Sequence, residues 1–265
     1  MRLQVAITID VEPPVAEAET LELLEKLDDY GIHVTFFVTG RVIARRRHLV
    51  SALLKADHEL ALHGYMHHLW QGKRIVRKED ALKGIKVFGQ IIGEPPLGFR
   101  APYGNIDEEV MTLLEENSIK YDSSVVSTFL RVEGGFLVPQ ASRFMKVPAL
   151  PYNPSDTNIC AEGDMKILEI PFSVLPVTQI PIGFGYILLF GLNFYKFFMR
   201  FFNKELLVFY LHPYQLSRQK LSAGVPLFIR PYYGRLGNPS ILLEGFLEFL
   251  MTRFSPSFIR MEEIV

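Results

Sequence analysis

Cysteine is almost absent from this 265-residue chain, in which Cys160 stands alone. A single thiol excludes an intramolecular disulfide framework and cysteine-rich zinc modules, and it is compatible with a reducing compartment. Net charge is nearly absent too: 28 Lys plus Arg stand against 29 Asp plus Glu, for a formal −1. No basic field exists to hold nucleic acid, and no basic stretch is interleaved with base-stacking aromatics. Internal repeats and low-complexity tracts are missing as well. Strand-like sequence begins by Leu3, leaving no room for a secretory signal, so a cytoplasmic protein is expected. At this length a single domain spanning 1–265 is expected, and an α/β barrel of that size is ordinary.

Charge also fails between Ile170 and Tyr195, a run longer than the usual membrane span. Pro171, Pro176 and Pro181 interrupt its first half, and Lys196 and Arg200 share a face of the helix predicted next. The run is read as a buried strand, a loop and a partly buried helix rather than as a transmembrane segment. Phe194, Phe197, Phe198, Phe201 and Phe202 offer either a core-packing stripe or a peripheral membrane contact.

What the chain does have is a strand–helix alternation. Leu3 to Val11 reads as a buried strand, with Val5, Ile7, Ile9 and Val11 on one face. Ala6, Thr8, Asp10 and Glu12 line the other face, which runs from small residues to two carboxylates. A barrel interior does this where its mouth is polar; a solvated acidic turn before Pro13-Pro14 is the plainer alternative. Glu17 to Tyr30 has helical periodicity through Leu21, Leu24 and Leu27, closed by Gly31. A strand over His33 to Val38, a helix from Arg41 to Lys55 and a strand through Leu60-Ala61-Leu62 follow. His48, His58 and Arg45-Arg46-Arg47 are expected to be exposed.

Lys78 to Ile92 reads as helix and Gly98-Phe99-Arg100 as a strand end. Ile106 to Asn117 reads as helix with Asn105 as N-cap, and Lys120-Tyr121-Asp122 begins a short strand. This rhythm predicts parallel strands with helices outside. From Phe129 to about Asn158, loops and short irregular strands are expected to cover part of the site. A strand over Ile167 to Val174, a helix over Tyr186 to Phe202, a strand over Leu206 to Leu211, a helix over Leu242 to Met251 and a strand over Phe258 to Arg260 complete the expectation.

The chemical signal starts at His63-Gly64-Tyr65-Met66-His67-His68. Glu59, Ala61 and His63 share a face if the run is a strand, which puts His63 at its end. His67, four residues on, is close enough for both imidazoles to reach one cation. Two neutral imidazoles plus a carboxylate form a common divalent-metal shell with a position open for water. A bare His-x-x-x-His also describes two histidines in a surface turn. Three segments accompany it: Thr8-Ile9-Asp10-Val11-Glu12, Phe99-Arg100-Ala101-Pro102-Tyr103-Gly104 and Val208-Phe209-Tyr210-Leu211-His212-Pro213.

With these segments in this order, the chain resembles the polysaccharide deacetylase (NodB-homology) family, metal-dependent hydrolases on a distorted, incomplete (β/α) barrel. The resemblance covers Leu3 to about Val125 and then Leu206 to Tyr214. It implies a single NodB-like domain, a carbohydrate substrate and a divalent metal, Zn²⁺ ahead of Co²⁺ or Ni²⁺. His63 and His67 match metal ligands, Asp10 the catalytic base and Arg100 the arginine that orients it. Tyr103 matches the residue whose backbone N–H helps form the oxyanion hole, and His212 the general acid. Val11 stands where the commonest first motif has its metal-binding Asp, but branches with Asp-x-Asp or Asp-x-Glu exist. Because i and i+2 share a strand face, Glu12 is assigned as third ligand, with Asp10 able to swap roles or join the metal shell.

The aspartate that tunes the acid histidine in this family has no clear match. Asp122 in Tyr-Asp-Ser-Ser is the nearest candidate, with a structural turn aspartate as the alternative. Gly183-Phe-Gly-Tyr186, His212-Pro-Tyr-Gln215 and Arg230-Pro-Tyr-Tyr-Gly234 weakly resemble a branch linked to bacterial exopolysaccharide export, too weakly to infer a substrate. The implied activity is N-deacetylation of an N-acetylated sugar, on an oligosaccharide or a lipid- or nucleotide-linked glycan. Hydrolysis of other C–N bonds, in formamido sugars, cyclic imides or allantoin-like ureides, is the rival within the fold. A non-catalytic carbohydrate- or metal-binding protein is the rival outside it, although binding alone requires neither a base nor an acid.

Overall fold

A computed structural model describes residues 2–13, 17–67, 78–128, 130–133, 136–139, 147–216 and 238–265. The chain runs through β1 (Gln4–Val11), α1 (Glu17–Asp29), β2 (Thr35–Val38), α2 (Gly40–Arg45), α3 (Arg47–Lys55), β3 (Glu59–Leu62) and α4 (Lys78–Ile92). Next come β4 (Gly98–Phe99), α5 (Glu108–Glu116), β5 (Tyr121–Asp122), β6 (Leu130–Glu133), β7 (Phe136–Pro139), β8 (Pro154–Ser155) and β9 (Asn158–Glu162). It ends with β10 (Leu168–Glu169), α6 (Phe184–Phe190), α7 (Leu192–Met199), β11 (Leu206–Leu211), α8 (Pro239–Phe254) and β12 (Ser257–Ile259).

Eight strands form one sheet in the order β10-β5-β4-β3-β2-β1-β11, with β12 also paired to β1. Every pairing in it is parallel. The sheet curls until its two edges meet without a regular ladder. Ser173, beyond β10, donates its N–H to Val208 O of β11 at 3.4 Å, and its Oγ accepts the Val208 N–H at 2.9 Å. The result is an incomplete (β/α) barrel.

Strand alternation sorts β1 as expected. Val5, Ile7, Ile9 and Val11 join the outer core beneath the helices, whereas Ala6 meets Phe37, Ala61, Tyr121, Ile170 and Val208 inside the curl. Inward positions of parallel strands thus fill a second, smaller core, and only their carboxy-terminal ends carry polar groups toward an opening.

Several local expectations change. The helix expected from Arg41 to Lys55 breaks at Arg46 (φ −123°, ψ 53°), and that expected from Tyr186 to Phe202 breaks at Gly191 (φ 90°), a left-handed position that favours glycine. Asp107, not Asn105, caps α5: its side chain accepts the Val110 N–H at 2.9 Å, while Asn105 follows a 3₁₀ turn over Pro102–Gly104. The strand expected over Ile167 to Val174 shrinks to Leu168–Glu169, since Pro171 has no N–H to give a ladder. The last helix is longer than Leu242 to Met251, because Asn238 accepts the Ser240 N–H and Pro239 suits the first turn.

His58 is buried, not exposed, and its Nδ1 accepts the Val34 N–H at 3.3 Å. His48 is exposed as expected, next to Glu17. The irregular stretch after Phe129 contains the β6–β7 and β8–β9 antiparallel pairs. Residues 129, 134–135 and 140–146 of it lie outside the described residues, as do His68 and the Arg230–Gly234 segment. Among the described residues no helix is long and apolar enough to cross a membrane.

Candidate metal centre

All seven residues singled out in the sequence meet at one mouth of the curled sheet. Asp10 and Glu12 leave the end of β1 on its inward face, His63 follows β3, Arg100 follows β4 and His212 follows β11. His67 and Tyr103 stand on the loops after β3 and β4. Carboxy-terminal strand ends are where barrels of parallel strands place their chemistry.

Glu12, His63 and His67 offer three ligand atoms that lie within 4.8 Å of one another. Glu12 Oε2 is 3.5 Å from His63 Nε2 and 2.5 Å from His67 Nε2. Two turns of the backbone produce this. Gly64 takes φ 63°, where a side chain would be strained and would also press on Pro102 and Asp80. Asp80, from the first turn of α4, accepts the N–H groups of Tyr65 (2.8 Å) and Met66 (3.2 Å) and so fixes the loop between the two histidines. Sequence reasoning missed Asp80: an acidic residue in a first turn reads as an ordinary helix-dipole partner.

The cluster fits a divalent cation for a reason beyond spacing. His63 Nδ1 lies 2.9 Å from the Arg100 carbonyl, which can only accept, so Nδ1 carries the proton and Nε2 presents a lone pair toward Glu12. Glu12 Oε2 is buried and turned to the Nε2 of both histidines. A carboxylate and imidazole nitrogens turned toward one another call for a positive charge between them, a proton or a metal. The charge balance agrees. Burial would push Glu12 up, yet His63 and His67 hold it far below the carboxylate range. Burial would lower His63, but Asp10 and Glu12 outweigh it and raise it.

Among the described residues Arg100 is the largest fully buried side chain. One terminal nitrogen donates to Asp10 Oδ1 and to Thr8 Oγ1, both at 2.8 Å; Nε and the other terminal nitrogen donate to Ser123 O and Oγ, both at 2.9 Å. Its guanidinium is sandwiched between the rings of Phe37 (4.0 Å) and Phe172 (4.4 Å). Burial would raise Asp10, but Arg100, His63 and His212 overcome it and keep the carboxyl ionised below its usual range. Thr8 could have been found from sequence, since it shares the inward face with Asp10; nothing marked Phe37, Ser123 or Phe172.

His212 Nε2 stands across the opening, 3.9 Å from Asp10 Oδ2 and 3.8 Å from Glu12 Oε1. Its backbone N–H is held by Gln215 Oε1 at 3.0 Å, but its Nδ1 is buried without a partner. Burial lowers its pKa more than Glu12 and Asp10 raise it. Asp122 does not tune it. Both Asp122 oxygens are taken by Ser124, through N–H at 2.9 Å and Oγ at 2.8 Å, and the side chain pairs with Glu169. Asp122 is therefore a structural carboxylate: Ser124 Oγ in turn accepts the Ala101 N–H at 2.8 Å, behind the turn that carries Tyr103. Tyr103 has φ 60°, and its half-exposed ring lies on His67 at 4.2 Å between centroids. Burial and Glu12 push its hydroxyl up to about 12, so it stays neutral.

Residues 2–121 match the polysaccharide deacetylase family model. A peptidoglycan deacetylase-like protein of Gibberella zeae is 30% identical over 174 residues, 61% of this chain and 51% of that protein. A peptidoglycan-N-acetylglucosamine deacetylase of Bacillus cereus is 36% identical over 115 residues, 42% of this chain and 52% of that protein. The chain thus spans about half the length of the curated relatives it matches. In fold, a probable polysaccharide deacetylase from Pseudomonas aeruginosa aligns with a TM-score of 0.63 at 15% identity, covering 99% of this chain and 89% of that one. The family match through β5 and the relatives make this chain similar, over its first 121 residues, to polysaccharide deacetylases of NodB type, and the curled parallel sheet has their fold.

Proposed function

We propose that the chain is a divalent-metal-dependent hydrolase that removes N-acetyl groups from an N-acetylated sugar, on an oligosaccharide or a lipid- or nucleotide-linked glycan. The observation that carries this is the buried three-ligand cluster beside an arginine-held carboxylate and a histidine across the same opening. A ligand set alone would fit a binding protein. A base and an acid on opposite sides of it fit hydrolysis.

Glu12, His63 and His67 would hold the metal, with Zn²⁺ favoured by the two imidazoles and one carboxylate. When bound there, such an ion polarises a carbonyl and lowers the pKa of water. The protein's own groups do the rest. Asp10 Oδ2, opposite the oxygen engaged by Arg100, accepts the proton of the attacking water, and Arg100 keeps Asp10 ionised and aimed. The Tyr103 N–H would donate to the oxyanion as the carbonyl carbon becomes tetrahedral, a kind of contact worth roughly 3–4 kcal/mol in other enzymes. His212 Nε2, in its protonated form, would give a proton to the departing sugar amine. Burial lowers its pKa, which makes that proton easy to release.

The test is release of acetate from chitooligosaccharides and peptidoglycan fragments by protein loaded with Zn²⁺, Co²⁺ or Ni²⁺. Chelation should abolish release and metal should restore it. Turnover of formamido sugars, cyclic imides or ureides without acetate release would move the assignment to those substrates. Inertness toward the whole panel would leave a carbohydrate- or metal-binding protein.

A further inference from the structure

The aromatic stripe on the charge-free run does not behave as a core. Phe202 is buried and Phe194 and Phe198 are half-buried, but Phe197 is 52% exposed, Phe201 57% and Phe190 37%. Phe194 and Phe198 pack against the core, while Phe190, Phe197 and Phe201 lie outside it and touch the stripe's other rings. Phe190 stacks on Phe194 at 5.4 Å, and Phe197 contacts Phe198 at 5.2 Å and Phe201 at 5.8 Å. Large aromatic side chains cost free energy in water, and contiguous exposed patches of them mark contact surfaces.

The charge pattern chooses the partner. From Ile170 to Lys204 the sequence contains no carboxylate, while Lys196, Arg200 and Lys204 follow the aromatics along α7 and beyond it. Aromatic rings flanked by lysine and arginine, with no acid among them, are what a surface needs to sit at the headgroup level of an anionic bilayer. Long cationic side chains can keep their charge among phosphates while their stems cover apolar surface; Lys196 already lies with its ammonium 5.7 Å from the Phe249 ring.

Topology sets α6 and α7 along β11. Gly183, at the start of α6, bridges to Tyr210, two residues before His212, and α7 leads back to the beginning of β11. We propose that the exposed face of α6 and α7 docks on an anionic lipid bilayer, laying the membrane alongside the strand that ends at His212. Phe190, Phe197 and Phe201 insert at the headgroup level, and Lys196, Arg200 and Lys204 meet lipid phosphate. No helix crosses the bilayer in this arrangement, and the contact is peripheral.

The experiment is co-sedimentation of the 265-residue chain with phosphatidylcholine vesicles that contain or lack phosphatidylglycerol. Binding to the anionic vesicles is expected. It should weaken at ionic strength of about 1 M, where the Debye length falls to about 3 Å. Phe197→Ser with Phe201→Ser should lower partitioning about tenfold, from lost apolar burial. Both rings are more than half exposed, so the melting transition should be unchanged. If that variant does not melt cooperatively, Lys196→Gln with Arg200→Gln makes the same comparison through charge. Absence of vesicle binding overturns the proposal, as does equal binding to neutral vesicles or binding unaffected by these substitutions. A solution dimer that the phenylalanine variant dissociates would also overturn it, by assigning the face to a second copy. The readout is binding, so the outcome is independent of the catalytic reading.

Discussion

The two ends of the sheet's interior hold similar residues and differ in one respect. At the closed end, Glu59 of β3 points inward like His63 four residues later. Its Oε2 accepts from Thr35 Oγ1 at 2.6 Å and the Glu262 N–H at 3.0 Å, and its Oε1 accepts from the Tyr121 hydroxyl at 2.6 Å. The carboxy-terminal 3₁₀ turn over Met261–Ile264 supplies that N–H and plugs the barrel, with the Met261 N–H on Thr35 Oγ1 at 2.9 Å. At the open end, Glu12 Oε2 is buried and faces the Nε2 atoms of His63 and His67. A buried polar group left unpaired costs roughly 1–3 kcal/mol. Glu59, with three donors of the protein on it, helps hold the barrel together; Glu12, turned to two imidazoles, holds a place for a positive charge.

The sharpest way to break that comparison is at Asp10. Asp10→Asn keeps the hydrogen bond to Arg100 within reach but removes the proton acceptor. On the proposed mechanism kcat falls by about 10²–10⁴-fold, while metal content, read by elemental analysis, stays near that of the wild type. His63→Ala should lose the metal and turnover together. Metal loss from Asp10→Asn would instead put Asp10 in the ligand shell.

Arg100 tests the same end through stability. Arg100→Met strands Asp10 as a buried unpaired carboxylate and should cost about 3–5 kcal/mol in urea unfolding. Asp10→Asn with Arg100→Met, which removes both charges, should recover part of that loss. Recovery separates the cost of an uncompensated charge from lost packing against Phe37 and Phe172.

Much of this was legible in the sequence because a strand's period is two. Thr8, Asp10 and Glu12 had to share a face, and Val11 had to point away, whatever else the chain did. The order of the four motif segments then brought His63, Arg100 and His212 to the same mouth, because parallel strands joined by outer helices end on one side. The breaks at Arg46 and Gly191 were not legible, since apolar periodicity continues across both. For Asp122 the structural turn reading, one of the two open in the sequence, was legible in the adjacent Ser124; its second partner, Glu169, was not, because it is fixed by which strand pairs with β5 and single-sequence patterns do not encode that neighbour. His58 failed for the same reason, its partner being a backbone N–H 24 residues away.

At the closed end the expected effect is smaller and of another kind. Glu59→Gln puts a donor where one of three donors now points, so it should cost about 1–3 kcal/mol of stability. The kcat/KM of the folded protein should not change. A drop in kcat/KM at unchanged stability would mean that the two ends are coupled through β3, and the contrast between them would fail.

The finest test of the contrast lies between the two ends, at Glu169. Its Oε1 accepts the Val125 N–H at 2.9 Å, its side chain pairs with Asp122, and burial together with Asp122 pushes its pKa well above the carboxylate range. The groups facing the pair are Arg100, Tyr152 and Cys160, of which only Arg100 is positive, and it is already committed to Asp10. Glu169 therefore keeps its proton when folded, and Asp122 is the acceptor. The sign follows from linkage. Below the unfolded value near 4.5 both states hold the proton and no stability is lost. Above it the unfolded chain releases the proton and the folded chain does not, so stability falls as pH rises, by at most about 1.4 kcal/mol per unit for one proton. Glu169→Gln carries a permanent donor in the same place, and urea unfolding between about pH 5 and pH 8 should show a flatter profile than the wild type. Parallel profiles would mean that Glu169 is ionised in the fold, and the turn that Asp122 and Ser124 fix behind Tyr103 would then rest on a charged pair rather than a shared proton.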